Sequence, residues 1–177
     1  MTDSRSTIVA WANYFAGKTS DFVYSEGPDR MSGLGVWPLH FPIHADCSAF
    51  VTLCYWLAGA PDPNGGTAYN STGFGREGYT GTLLGHGTHI PASAVVAGDL
   101  VVYGATPGEH TAIVVLVQGN DILTVSHGGP TGQSPVYCWV NHPKANPHNY
   151  PVDGREPQTF LRLPTATFGT QHTPPAA

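Results

Sequence analysis

"HADCSAFVTLCYWLAG", residues 44–59, sets Cys47 directly after Asp46 at the first turn of an apolar helix. Asp46 is of the type that caps a helix by accepting a backbone N–H bond, and Gly59 followed by Pro61 supplies a stop. The spacing therefore predicts a helix over 47–58. Its apolar positions (Cys47, Phe50, Val51, Leu53, Cys54, Leu57 and Ala58) cover most of its circumference, which places it at the centre of a core. Cys47 then has three readings: a nucleophile at a helix N-terminus, a metal ligand, or a small apolar core residue.

The surrounding chain has the length of one domain, 177 residues, enough to bury a core without staples. Only 11% of residues are charged, against roughly 25% in an average soluble protein, so uncharged polar groups and loops must cover the surface. The seven Lys and Arg are scattered over a chain of net charge −5. With no basic stripe to neutralise phosphates, direct nucleic-acid binding is disfavoured and no nucleic-acid partner is expected. The longest strongly apolar run, "TAIVVLV" at 111–117, is too short for the roughly 20 residues that cross a bilayer, so no membrane insertion is expected. The start, "MTDSRSTIVAWANYF", lacks a signal-peptide pattern, so synthesis is expected to end in the cytoplasm unless another device exports the protein. Three cysteines (Cys47, Cys54 and Cys138) cannot all pair, and their spacing matches no zinc pattern. The expectation is no cofactor and no metal.

Residues 5–16 carry Ile8, Trp11, Ala12 and Phe15 at helical spacing, with Gly17 as the stop. Residues 18–45 mix aromatics with Gly and Pro and read as a long structured loop into the second helix. Residues 61–92 are Gly-rich and nearly uncharged and read as a loop excursion with one short helix over 79–84. From Asp99 onward the period changes. "DLVVYG", "HTAIVVLV", "DILTVSH", "PVYCWV" and "QTFLRL" are short β-branched or aromatic runs between turns, hence five strands. "QGND" at 118–121 reads as a hairpin and makes its flanking strands antiparallel. Helices first and strands afterwards define an α+β domain over 1–163. The Pro-, Thr- and Ala-rich segment 164–177 has the composition of a linker or tail, with a possible second domain beyond it.

A thiol becomes a useful nucleophile when its pKa falls, and a helix dipole with a nearby imidazole supplies that fall. Cys47 sits where the dipole acts. His110 opens one strand run and His127 closes the next, so a hairpin between them brings the two histidines together at one end of the sheet.

At these residues the chain resembles the NlpC/P60 papain-like cysteine peptidases. "DCSAFV" (46–51) matches that family's DCSGFV, with Ala49 in place of glycine. "AGDLVVY" (97–103) matches its PGDLVVF, and "HTAIVV" (110–115) its HVGIYL. "VSHGG" (125–129) lies where the family carries its third catalytic residue, and "FVYSEGP" (22–28) where it carries a pocket tyrosine. The resemblance covers roughly 20–130. It implies a papain-like fold with N-terminal helices, the Cys47 helix packed on a five-stranded antiparallel sheet, and catalysis by Cys47, His110 and His127. It also implies an oxyanion site formed with Tyr24. The implied substrate is a peptidoglycan stem peptide, cut between D-Glu or D-isoGln and diaminopimelate or between L-Ala and D-Glu. The missing signal peptide and the linker-like tail together suggest the peptidase module of a phage endolysin, released to the wall by a holin. A phage tail-tip peptidase and a bacterial enzyme exported another way are the nearest alternatives.

Two rivals lie outside the enzyme class: a non-catalytic wall-binding module on the same fold, and a histidine-rich metal-binding protein. "GHGTHI" (85–90) holds two histidines without a matching thiol or carboxylate cluster and reads as surface loop. Cys54 and Cys138 read as core, His142 and His148 as loop residues, and Asp99 as a turn residue.

Overall fold

The structure, a computed structural model, describes residues 3–65, 78–129 and 134–175. Its first helix, α1 (Arg5–Phe15), buries Ile8, Trp11, Ala12 and Phe15, the four positions that the spacing singles out. Helix α2 (Cys47–Leu57) is buried along its whole length. Asp46 caps it, its carboxylate accepting from the Ala49 N–H at 2.7 Å. Phe50, fully buried, meets Phe15 and Phe22 edge-on at ring distances of 6.1 and 5.7 Å, joining α2 to α1 and to the chain between them. Burying such a side chain contributes about 1.5–3 kcal/mol.

The stretch 18–45 contains a short parallel pair, β1 (Phe22–Tyr24) with β2 (Ile43–Ala45), which aligns Tyr24 with Ala45 beside the start of α2. Three-residue strands among Gly and Pro carry no periodicity that sequence reading can detect. Helix α3 (Thr80–His86) lies one or two residues C-terminal of the expected short helix. Residues 66–77 of the Gly-rich excursion lie outside the described residues.

All five expected strands lie in one sheet, as β4 (Leu100–Tyr103), β5 (His110–Gln118), β6 (Asp121–Ser126), β7 (Val136–Trp139) and β8 (Gln158–Arg162). Among the described residues the sheet has a sixth strand, β3 (Thr88–Ile90), which pairs with β8 at the edge. It was hidden because three residues in a Gly-rich stretch form no run. The order is β3-β8-β4-β5-β6-β7, with every neighbouring pair antiparallel. Alternating residues divide between two layers. Leu100, Val102, Ile113 and Val125 pack with α1 and α2, while Val101, Tyr103, Ala112 and Val114 pack on the opposite face.

Just before β4 Asp99, fully buried, accepts bonds from Arg5 at 3.0 Å and from Arg162 at 2.9 and 2.7 Å. Its own carboxylate also closes the turn, taking the Val96 N–H at 2.9 Å.

Residues 164–175 have linker composition yet run along the helical layer. Ser4 donates to the Thr165 carbonyl, Phe168 and Gly169 to that of Gly59, and His172 to that of Leu57. Trp11 Nε1 reaches the His172 carbonyl at 2.7 Å, and the His172 ring stacks on Trp37 at 4.1 Å. Aromatic partners offered by α1, by α2 and by the chain between them hold a segment that composition alone marks as free. Among the described residues no helix is long and apolar enough to cross a membrane, and no group of three or more His, Cys, Asp or Glu is placed to hold a metal ion.

Candidate active site

Cys47 stands at the N-terminus of α2, 6% exposed, on a cleft of about 270 Å³. Tyr24, Glu26, Arg30, Asp46, Ser48, Tyr79, Thr80 and Glu109 complete the cleft. Arg30 clips its parts together: the guanidinium donates to Asp46 at 2.9 Å, to Ser48 at 3.3 Å and to the Gly78 carbonyl. Thr80, at the start of α3, donates to the Gly108 carbonyl at 3.0 Å and so ties that wall to the turn before β5. Tyr24 lies over Gly128, whose φ of +78° and missing Cβ are both needed, since a Cβ there would stand 2.2 Å from the Tyr24 ring. The Tyr24 hydroxyl donates to Glu26 at 3.0 Å. Burial pushes its pKa well up, with Glu26 and the neighbouring Cys47 and Asp46 acting in the same direction.

The helix dipole does not decide the state of Cys47. Burial, followed by the Asp46 carboxylate, pushes the thiol up to about 12. The backbone N–H groups of Thr111 and Ser48 and the charge of Arg155 pull the other way without overcoming it. The resting form is the thiol.

His110, at the start of β5, is 2% exposed, and burial followed by Arg155 pushes it down to about 4. Its ring stacks on Tyr103, the residue opposite it on β4, at 5.9 Å and 26°. It therefore shares a sheet face with Tyr103 and Ala112. His127, just after β6, is fully buried among Phe22, Tyr24 and Phe50, at ring distances of 5.3, 5.5 and 6.3 Å. This is the α2 side. The hairpin thus brings the two histidines to one end of the sheet, where His127 acts electrostatically on His110. They project from opposite faces, however, and among the described residues both nitrogens of His127 and Nε2 of His110 lack a hydrogen-bond partner. Burial pushes His127 down as well, against the carbonyls of Val23, Ser134 and Ala45, which favour its protonated form without bonding it in good geometry.

Three side chains near His110 have no counterpart in the sequence reading: Tyr103, Asp153 and Arg155. Asp153, 3% exposed, is bound by Arg155 through Nε at 2.8 Å and through Nη2. The signal that marks the last two is "DGR" (153–155), an opposite-charge pair within one turn of a charge-poor chain.

No protein-family model matches the sequence, and no curated protein does. Solved structures do. A hypothetical invasion protein of Mycobacterium tuberculosis superposes with a TM-score of 0.51 at 17% identity, over 91% of this chain and 62% of that one. The peptidoglycan hydrolase RipB of the same organism gives 0.49 at 20%, over 91% and 67%. RipD, also from M. tuberculosis and described as a non-catalytic NlpC/p60 domain protein adapted to peptidoglycan binding, gives 0.45 at 16%, over 92% and 99%. The chain has an NlpC/P60-like fold.

Proposed function

We propose that the protein is a cysteine endopeptidase acting on the stem peptides of bacterial peptidoglycan. The observation that carries the reading is Cys47 at the capped N-terminus of a buried helix, opening on a cleft and held against the first residues of a strand that begins with His110. Side chains of both signs line that cleft, Arg30 with Glu26, Asp46 and Glu109. Such a lining suits a short peptide that carries both carboxylates and an amine, as bonds between D-Glu or D-isoGln and diaminopimelate, or L-Ala and D-Glu, would present.

Because thiol and imidazole are both neutral at rest, His110 acts as a general base. The imidazole takes the Cys47 proton as the sulfur attacks the carbonyl carbon. The Cys47 N–H meets the developing oxyanion, joined by the Tyr24 hydroxyl when it turns from Glu26, to which it donates at rest. Collapse breaks the C–N bond, and the imidazolium gives its proton to the leaving amine. Water then attacks the thioester, its proton passing through His110 back to sulfur.

Among the described residues no hydrogen bond joins Cys47 to either histidine, an observation that favours a second reading, a peptidoglycan-binding module without turnover. Intact-mass measurement after acid quench of protein mixed with a stem peptide separates the two. An acyl adduct present in wild type and lost in Cys47→Ala supports the peptidase. Saturable binding with no adduct and no cleavage supports the binding module.

A further inference from the structure

Asp153 and Arg155 are two residues apart and could pair in solvent at little cost. Instead the carboxylate is buried, which is expensive even when paired and is weak evidence for a stabilising role. Its segment is fixed to the sheet: the Asp153 N–H donates to the Trp139 carbonyl at 2.8 Å, and Val152 bridges Trp139. The Arg155 guanidinium stands over the Tyr103 ring at 5.5 Å, and that ring stacks on His110. Two polar atoms of this cluster, His110 Nε2 and the Tyr103 hydroxyl, are buried without a partner among the described residues. The ion pair therefore stands beside the Tyr103 ring on which the imidazole stacks, close enough for both charges to act on His110.

We propose that Asp153, clamped by Arg155, is the positioning residue for His110: its carboxylate stabilises the imidazolium formed when the ring takes the Cys47 proton. This rests on the peptidase reading above. It gives Asp153 the part that the resemblance implied for His127, which lies on the other face of the sheet with neither nitrogen bonded.

The electrostatics have the matching signs. Around His110 stand Tyr103 from β4, Asp153 and Arg155 from the segment before β8, and His127 from the end of β6. Asp153 favours the charged ring, whereas burial, Arg155 and His127 disfavour it. The carboxylate is itself held below its ordinary range: burial opposes its charge, and Arg155 with His110 overcomes that. Arg155 opposes the imidazolium but favours the Cys47 thiolate, so each member of the pair supports one of the two charges that proton transfer creates.

The test is the His110 titration followed by NMR, with kinetics, in wild type, Asp153→Asn and Arg155→Gln. The midpoint is expected to fall in Asp153→Asn and to rise in Arg155→Gln. In Asp153→Asn kcat is expected to drop about tenfold or more with little change in KM, and the acid limb of kcat/KM to move to lower pH. Arg155→Gln, whose side chain is partly exposed, keeps the test open if Asp153→Asn does not fold. A His110 midpoint unchanged in a folded variant overturns the proposal, as does loss of activity with the pH limb in place. Wild type inactive on every wall substrate contradicts the peptidase reading instead, and the NMR shifts still decide whether Asp153 holds His110.

Discussion

Replacing Asp46 by alanine tests the cap, the cleft and the thiol together. Its carboxylate takes the Ala49 N–H at 2.7 Å, a cap whose loss costs about 1 kcal/mol. It also receives Arg30 at 2.9 Å in a pair whose side chains are both 15% exposed, worth about 1 kcal/mol more. The sum, about 2 kcal/mol, divided by an unfolding entropy of about 0.37 kcal/mol/K for a chain of this length, lowers Tm by about 5 °C. Asp46→Asn keeps an acceptor at the cap and loses the charge, so about half of that loss should remain. The same substitution removes the second-largest influence holding the Cys47 thiol near 12, so alkylation by iodoacetamide at pH 8 should accelerate. Thermal melts followed by circular dichroism and intact-mass alkylation rates give both readouts. Equal Tm loss in the Ala and Asn variants would refute the cap argument, and an unchanged alkylation rate would refute the electrostatic one.

His110 titrates near 4 folded and 6.5 ordinarily, so as pH falls below about 6.5 the unfolded chain gains a proton that the folded chain takes up only near 4. Stability is full above that window and is lost through it. Urea midpoints at pH 7.5, 5.5 and 4.5 should fall steadily in wild type and less steeply in His110→Asn. Gly128→Ala places a Cβ against Tyr24 at a positive φ and should cost about 2 kcal/mol; a melt equal to wild type would show that the ring yields freely. Truncation after Pro164 removes the bonds to Ser4, Gly59, Leu57 and Trp11, and a Tm within 1–2 °C (roughly 0.5 kcal/mol) of wild type would contradict the docked strap. Phe50→Ala should cost about 3–5 kcal/mol, read from urea melts.

The two long helices and the five longer strands were legible from apolar patterning between stop signals: Ile8, Trp11, Ala12 and Phe15 recur at helical spacing in α1, and the strands are β-branched or aromatic runs bounded by turns. β1, β2 and β3 were not, since three residues cannot establish a period. At the site, "DC" before an apolar run located Cys47 and its cap. Proximity of His110 and His127 followed from the hairpin, but the faces they occupy follow from register: Ile113 opposes Val125, so Thr111, not His110, shares a face with His127. Asp153 and Arg155 escaped because 43 residues of chain separate Asp153 from His110, and tertiary pairing, the bridge of Val152 to Trp139 and the β8 ladder, folds that segment back. The resting thiol escaped as well, because burial at Cys47 outweighs the helix terminus, and burial is a property of packing.

The central claim is that Cys47 cuts wall peptides. Purified diaminopimelate-type peptidoglycan incubated with wild type and with Cys47→Ala, its soluble fragments read by mass spectrometry, tests it directly. The account predicts new amino termini within the stem peptide from wild type alone. Equal release by both proteins, or none by either while wild type binds the wall, would contradict it.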